Sequence, residues 1–127
     1  MSVSDAKAWT GIAIIEDEKE LIKVYERLFK SRGITVCFTA VDGFEGVRKF
    51  AECKPRPSIM LMDYRLPTMN GTDAARQILQ IEPKTRILLI SADANAESEA
   101  MAAGAYLFLK KPVSIYDIIK AINSARQ

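Results

Sequence analysis

Apolar residues along this chain alternate between two patterns. Short unbroken runs lie at Gly11-Ile12-Ala13-Ile14-Ile15, Ser58 to Met62, Arg86-Ile87-Leu88-Leu89-Ile90 and Ala105-Tyr106-Leu107-Phe108-Leu109, with a β-branched and aromatic run from Ile34 to Thr39. Runs of that length with no polar alternation predict strands buried on both faces. Between them apolar positions recur at helical spacing. From Lys19 to Arg32 they are Leu21, Val24, Tyr25, Leu28 and Phe29, and Gly33 suits a helix stop. Asp42-Gly43 opens a second helix with Phe44, Val47, Phe50 and Ala51 on one face, ended by Lys54-Pro55-Arg56-Pro57. Gly71-Thr72 opens a third, with Ala75, Ile78 and Leu79, closed at Glu82-Pro83. Ala94 to Ala103 has Met101 as its only large apolar residue, which predicts a thinly packed fourth helix and the most mobile one. Ser114 and Asp117 form a capping-box-like start to a last helix carrying Ile115, Ile118, Ile119 and Ile122.

Strand and helix thus alternate five times, joined by short connections, as in a parallel sheet covered on both faces. The predicted fold is α/β, a (βα)5 doubly wound domain with strand order 2-1-3-4-5, in which strands 1 and 3 flank the crevice where ligands bind. Polar groups appear at the strand tips. The first strand ends in Glu16-Asp17-Glu18, the third in Asp63, the fourth in Ser91-Ala92-Asp93 and the fifth in Lys110-Lys111-Pro112.

Length and composition narrow the classes. A chain of 127 residues, 49% hydrophobic and 27% charged, fits one globular domain with its own core. Residues 1–10 read as an extension whose Trp9 packs on the domain edge, and residues 11–127 as the domain. No apolar stretch approaches a membrane span and the start lacks a signal-peptide core, so the expected location is the cytoplasm. A net charge of +2, spread along the chain, gives no reason to expect nucleic acid or a membrane surface as partner. Cys37 and Cys53 have no metal-ligand spacing and read as small apolar residues. With no histidine, the chain has no Ser-His pair and no histidine base or phosphohistidine of its own.

Glu16, Asp17 and Asp63 would face one crevice. Like charges about 4 Å apart repel by roughly 4 kcal/mol at an effective dielectric near 20, so the three carboxylates call for a cation or partial protonation. An all-oxygen set with one or two direct carboxylates suits Mg²⁺. Lys111, fixed before Pro112, offers a counter-ion, and Ser91 a hydroxyl able to hydrogen-bond a phosphoryl oxygen. Asp63 is then placed to attack phosphorus in line and form an aspartyl phosphate, which water later hydrolyses.

These residues resemble the receiver domain of two-component response regulators, the CheY-like family. The resemblance covers nearly all of residues 11–127: Glu16-Asp17 after strand 1, Asp63 followed by Leu66-Pro67-x-Met69-Asn70-Gly71, Ser91-Ala92, Gly104-Ala105 and Lys111-Pro112. It implies that Asp63 is the phospho-acceptor and that Asp17 and Asp63 bind Mg²⁺ directly with the backbone carbonyl of Arg65, Glu16 acting through a water. It further implies that Ser91 is the switch hydroxyl, Phe108 the switch aromatic, and Lys111 the active-site lysine before a cis proline. The implied donor is a histidine kinase or histidine phosphotransfer protein, with helix 1 as the docking surface. The implied reader is a downstream target or output domain, reached through the face of helix 4, strand 5 and helix 5. The chain would be no enzyme beyond its own phosphorylation and dephosphorylation, and a monomer or a dimer on phosphorylation.

Some positions depart from the commonest pattern. Glu16 stands for Asp, Leu66 for Met, Asn70 for Asp and Ser91 for Thr, and Phe108 lacks the hydroxyl of the frequent Tyr. Arg65 and Asp93 lie where the family that the chain resembles tunes dephosphorylation. Two other readings stay open: a Mg²⁺-dependent phosphatase or phosphotransferase of similar α/β type, and an interaction-only receiver that is not phosphorylated. The first would need a further acid and a cap that the sequence does not offer.

Overall fold

The computed structural model describes residues 9–127. In chain order the elements are β1 (Ile12–Ile15), α1 (Lys19–Ser31), β2 (Val36–Ala40), α2 (Gly43–Glu52), β3 (Ile59–Asp63), α3 (Gly71–Ile81), β4 (Arg86–Ser91), α4 (Ala96–Ala102), β5 (Leu107–Lys110) and α5 (Ile115–Arg126). The strands form one sheet of order β2-β1-β3-β4-β5, and every pairing is parallel. This is the (βα)5 doubly wound arrangement that the alternation of patterns predicts.

Alternate strand residues feed two cores. Ile12, Ile14, Ile59, Leu61, Leu88 and Ile90 pack with Ile22, Tyr25 and Phe29 of α1 and with Ile118 and Ile122 of α5. Ala13, Ile15, Met60, Met62, Ile87 and Leu89 pack with Phe50 of α2, Ala74, Ala75 and Ile78 of α3, and Ala100 of α4. Burial on both faces is why the strands read as continuous apolar runs.

Several boundaries and faces differ from the sequence reading. The β2 strand starts at Val36 rather than Ile34, because the Ile34 N–H is spent on the Phe29 carbonyl (2.8 Å) and Gly33, at φ 70°, donates to Lys30. Those two bonds close α1 as a Schellman motif. The β5 strand starts at Leu107, since the Ala105 N–H goes back to the Ala100 carbonyl at 3.1 Å and closes α4. On α2, Phe44 is 68% exposed and Ala51 is exposed; the buried face runs through Gly43, Gly46 and Phe50, where Gly46 lies against Ile15. Val24 is likewise exposed, and Ile22 takes the core position.

The α4 helix buries only Ala96 and Ala100, and Met101 faces out. The Ser114–Asp117 capping box of α5 forms in both directions. Residues 1–8 of the expected extension lie outside the described residues. Trp9 packs at the domain edge under the Arg126 guanidinium, 4.4 Å from the ring centroid, as expected of its indole. Both cysteines are free and half-buried.

Candidate phosphoryl-acceptor site

Sheet register assembles the acidic cluster. Ile15 pairs with Met62, so the next residues, Glu16 and Asp63, emerge side by side at the carboxyl ends of β1 and β3. Asp17 follows Glu16, and carboxylate oxygens of the three lie within 4.8 Å of one another. Glu16 and Asp63 are 3% and 8% exposed, whereas Asp17 faces solvent.

Both buried acids hold their protons more tightly than usual. Burial raises the Glu16 carboxyl from 4.5 to about 7; the Asp63 charge and a hydrogen bond with Asp17 push the same way, against a hydrogen bond from the Glu18 N–H and the charge of Lys111. For Asp63 burial pushes upward, Lys111 opposes it by charge and hydrogen bond, and Asp17 and Glu18 add to the rise. The Tyr25 phenol is pushed to about 12 by burial and by the charges of Glu16, Asp63 and Glu18. The cluster is therefore short of positive charge.

Lys111 supplies one cation, its Nζ 3.2 Å from Asp63 Oδ1. Strand alternation explains why this lysine and not Lys110 is used: Leu107, Leu109 and Lys111 share the side of Ile59, Leu61 and Asp63. The backbone helps fix it, since the Lys111 N–H donates to the Ser91 carbonyl at 2.9 Å and the Lys111-Pro112 bond is cis, as the resemblance implies. Lys54-Pro55 is also cis.

Behind Asp63 the chain turns back on itself. The Tyr64 N–H donates to the Ile90 carbonyl (2.8 Å) and the Gly71 N–H to the Tyr64 carbonyl (2.7 Å). A Cβ on Gly71 would fall 2.7 Å from the Asp63 carbonyl oxygen and 2.8 Å from Leu89 Cδ2, so glycine is what lets α3 start this close to the acceptor strand. Asn70 caps α3 by accepting from the Asp73 N–H at 3.0 Å, a task Asn and Asp share.

The remaining expected residues separate into two groups. Ser91 is 2% exposed at the tip of β4, and its Oγ accepts from the Asp93 N–H at 3.0 Å. Alternation puts Ser91 on the α2–α4 side of the sheet, the side on which Phe108 is half-buried. The Arg65 side chain is 76% exposed and points away from the acids to Asp93, 3.9 Å between Nη2 and Oδ2.

One network lies outside what the sequence predicts. Tyr64 Oη donates to Glu99 Oε2 (2.8 Å), while the fully buried Thr72 hydroxyl lies 2.9 Å from Glu99 Oε1 and 2.7 Å from Asn70 Oδ1. It ties α4, which has few apolar contacts, to the residue beside Asp63 and to the start of α3. No local pattern in the sequence marks it, since Tyr64 and Glu99 stand 35 residues apart and Glu99 is one of two glutamates in the helix.

The sequence profile of the response regulator receiver domain matches residues 12–123. The chain belongs to the response regulator receiver domain family. It is 32% identical over 114 residues to the chemotaxis protein CheY of Thermotoga maritima, covering 88% of this chain and 93% of that protein. Among solved structures it is similar to a response regulator receiver domain protein from Clostridium thermocellum, at 31% identity and a TM-score of 0.84 over 91% of this chain and 92% of that one. The CheX–CheY–BeF3–Mg²⁺ complex from Borrelia burgdorferi contains a chain at 26% identity and a TM-score of 0.82, over 89% of this chain and 86% of that one. This receiver is thus a CheY-like module of two-component systems. Among the described residues no helix is long and apolar enough to cross a membrane.

Proposed function

We propose that this receiver accepts a phosphoryl group on Asp63 from a histidine kinase or histidine phosphotransfer protein and passes the change to a target or output domain. The observation that carries the reading is the convergence of Glu16, Asp17 and Asp63 on one point with Lys111 3.2 Å from the acceptor oxygen. Residues 11–127 would form the working domain, in the cytoplasm, with residues 1–10 an extension.

The donor set fits Mg²⁺: oxygens only, two buried acids whose protons are held too tightly, and one exposed carboxylate. Asp17, Asp63 and the Arg65 carbonyl would hold the ion directly and Glu16 through a water. When bound, Mg²⁺ supplies the positive charge that lets these acids ionise together and offsets charge on the phosphoryl oxygens.

The chain's own residues do the rest. Asp63 offers the nucleophilic oxygen at the end of a rigid strand, and Lys111 stabilises charge gathering on the phosphoryl group. The Ser91 hydroxyl keeps its own proton free to donate, because the bond to Asp93 uses only a lone pair. Its movement toward the phosphoryl group would open room on the α2–α4 side for Phe108, shifting the face of α4, β5 and α5 that a partner reads. The Arg65–Asp93 pair, spanning the two loops beside the acceptor, would set access of water and so the lifetime of the phosphoryl group. The Borrelia relative, solved as a complex of CheX and CheY with beryllofluoride and Mg²⁺, supports this reading.

Incubation of the full chain with Mg²⁺ and acetyl phosphate, followed by intact mass, tests it. The expected result is the mass gain of one phosphoryl group, dependent on Mg²⁺ and lost in Asp63→Asn. An unmodified chain, or an Asp63→Asn protein modified to the same extent, overturns it.

A further inference from the structure

At the amino ends of the strands, opposite Asp63, the molecule carries a second concentration of charge, of the other sign. A cavity of about 780 Å3 opens there between Trp9, the loop before β3, the loop before β4 and the end of α5. Lys54, Arg56, Lys84, Arg86 and Arg126 line it, against one acidic side chain, that of Glu82. For a chain of net charge +2 this is a strongly uneven distribution.

The arginines are held by rings rather than by acids. Arg56 lies over Phe50 at 5.9 Å, Arg86 over Tyr106 at 4.6 Å and Arg126 over Trp9 at 4.4 Å. Among the described residues none of the five cations is in an ion pair. The Glu82 carboxylate is already engaged by the Lys84 N–H at 3.1 Å. Arg56 uses Nη2 on the Ala51 carbonyl, while its Nε is buried without a hydrogen-bond partner. A guanidinium stacked on a ring is fixed in its plane with N–H donors left at its edge, which is the geometry for oxyanion recognition.

The walls are tied together. Thr10 donates its N–H to Ser58 Oγ (3.0 Å) and its hydroxyl to the Arg56 carbonyl, and Thr85 donates to the Glu82 carbonyl at 2.9 Å. Five like charges lining one cavity with a single acidic side chain among them repel one another, and an anion relieves that repulsion.

We propose that this cavity is a binding site for a small anion carrying several phosphoryl groups, a linear oligophosphate either free or as part of a nucleotide. The volume is that of a small-ligand site, and concavity favours a compact ligand over a flat acidic protein surface. A tetrahedral phosphoryl group presents acceptors to several arginines at once, whereas a carboxylate presents two in one plane. The site is remote from the acceptor cluster and does not depend on Asp63 being phosphorylated.

Titration of the full chain in low-salt buffer with EDTA, followed by calorimetry and amide chemical shifts, tests the site with tripolyphosphate, ATP, adenosine and a poly-glutamate peptide. Tripolyphosphate and ATP are expected to bind and adenosine not, with shifts at residues 54–58, 84–86 and 125–127 and none at Asp63. Equal affinity for the two identifies the phosphate chain alone as the ligand; tighter binding of ATP identifies a nucleotide. Lys84→Gln, which leaves all three ring contacts intact, and Arg86→Gln should each weaken binding about tenfold without moving the urea midpoint of Lys84→Gln. No binding at millimolar tripolyphosphate, shifts centred on Asp63, variants that bind like the parent, or tighter binding of poly-glutamate overturns the proposal.

Discussion

Replacing Glu16 by glutamine separates the stability of this fold from its readiness for a cation. Glu16 keeps its proton to about 7 in the folded chain, against 4.5 ordinarily. The folded state thus binds that proton more tightly than the unfolded one. Its contribution to stability is fully present below 4.5 and is lost as pH rises through 7. At 1.36 kcal/mol per pKa unit the loss amounts to about 3 kcal/mol. Glutamine cannot ionise, and its carbonyl can still accept the Glu18 N–H that now reaches Glu16 Oε2 at 3.0 Å. The variant should match the parent near pH 4.5 and exceed it by about 3 kcal/mol near pH 8, measured by urea unfolding in EDTA. Asp63, raised in the same direction, adds a fall of its own in both proteins, smaller in the variant, where no Glu16 charge faces it, so the difference has the same sign. Added Mg²⁺ should restore stability to the parent at high pH and help the variant less, because it binds only the assembled acids. A variant less stable than the parent near pH 8, or a difference that does not change with pH, would refute the reasoning.

Three further outcomes are expected. Lys111→Met removes the ammonium 3.2 Å from Asp63 and should slow phosphorylation by acetyl phosphate about tenfold or more, read as an intact-mass time course; an unchanged rate would contradict its role as counter-ion. Gly71→Ala drives a Cβ to 2.7 Å from the Asp63 carbonyl and should cost about 2 kcal/mol in urea unfolding while weakening Mg²⁺ binding. Tyr64→Phe deletes the hydroxyl bonded to Glu99, so amide exchange in α4 should quicken while that in β3 stays as in the parent; equal protection of α4 would show that the bond does not hold the helix.

Much of the site was legible because strand ends are marked in sequence by an apolar run meeting a polar residue. Glu16, Asp63 and Ser91 were found that way, and parallel register then sets Glu16 beside Asp63 without further information. Alternation along β5 likewise separated Lys111 from Lys110. Helix faces were less legible, since the periodicity of apolar residues does not say which edge of the stripe is covered. Phe44 and Val24 lie outside it because Gly46 and Ile22 take the close contacts. The Tyr64–Glu99–Thr72 network and the arginines over Phe50, Tyr106 and Trp9 join residues far apart in the chain. Local patterns carry no trace of such pairs. Two strands start later than their apolar runs, at Val36 and Leu107, for one reason: the N–H groups of Ile34 and Ala105 are spent closing the preceding helices.

The central claim is that Asp63 is the residue that takes the phosphoryl group. An aspartyl phosphate reacts with borohydride to leave homoserine, so borohydride treatment after exposure to acetyl phosphate and Mg²⁺, followed by peptide mass mapping, locates the acceptor. Homoserine at position 63, absent without Mg²⁺ or phosphodonor, is the predicted result. Reduction at another carboxylate, or at none, would contradict the account.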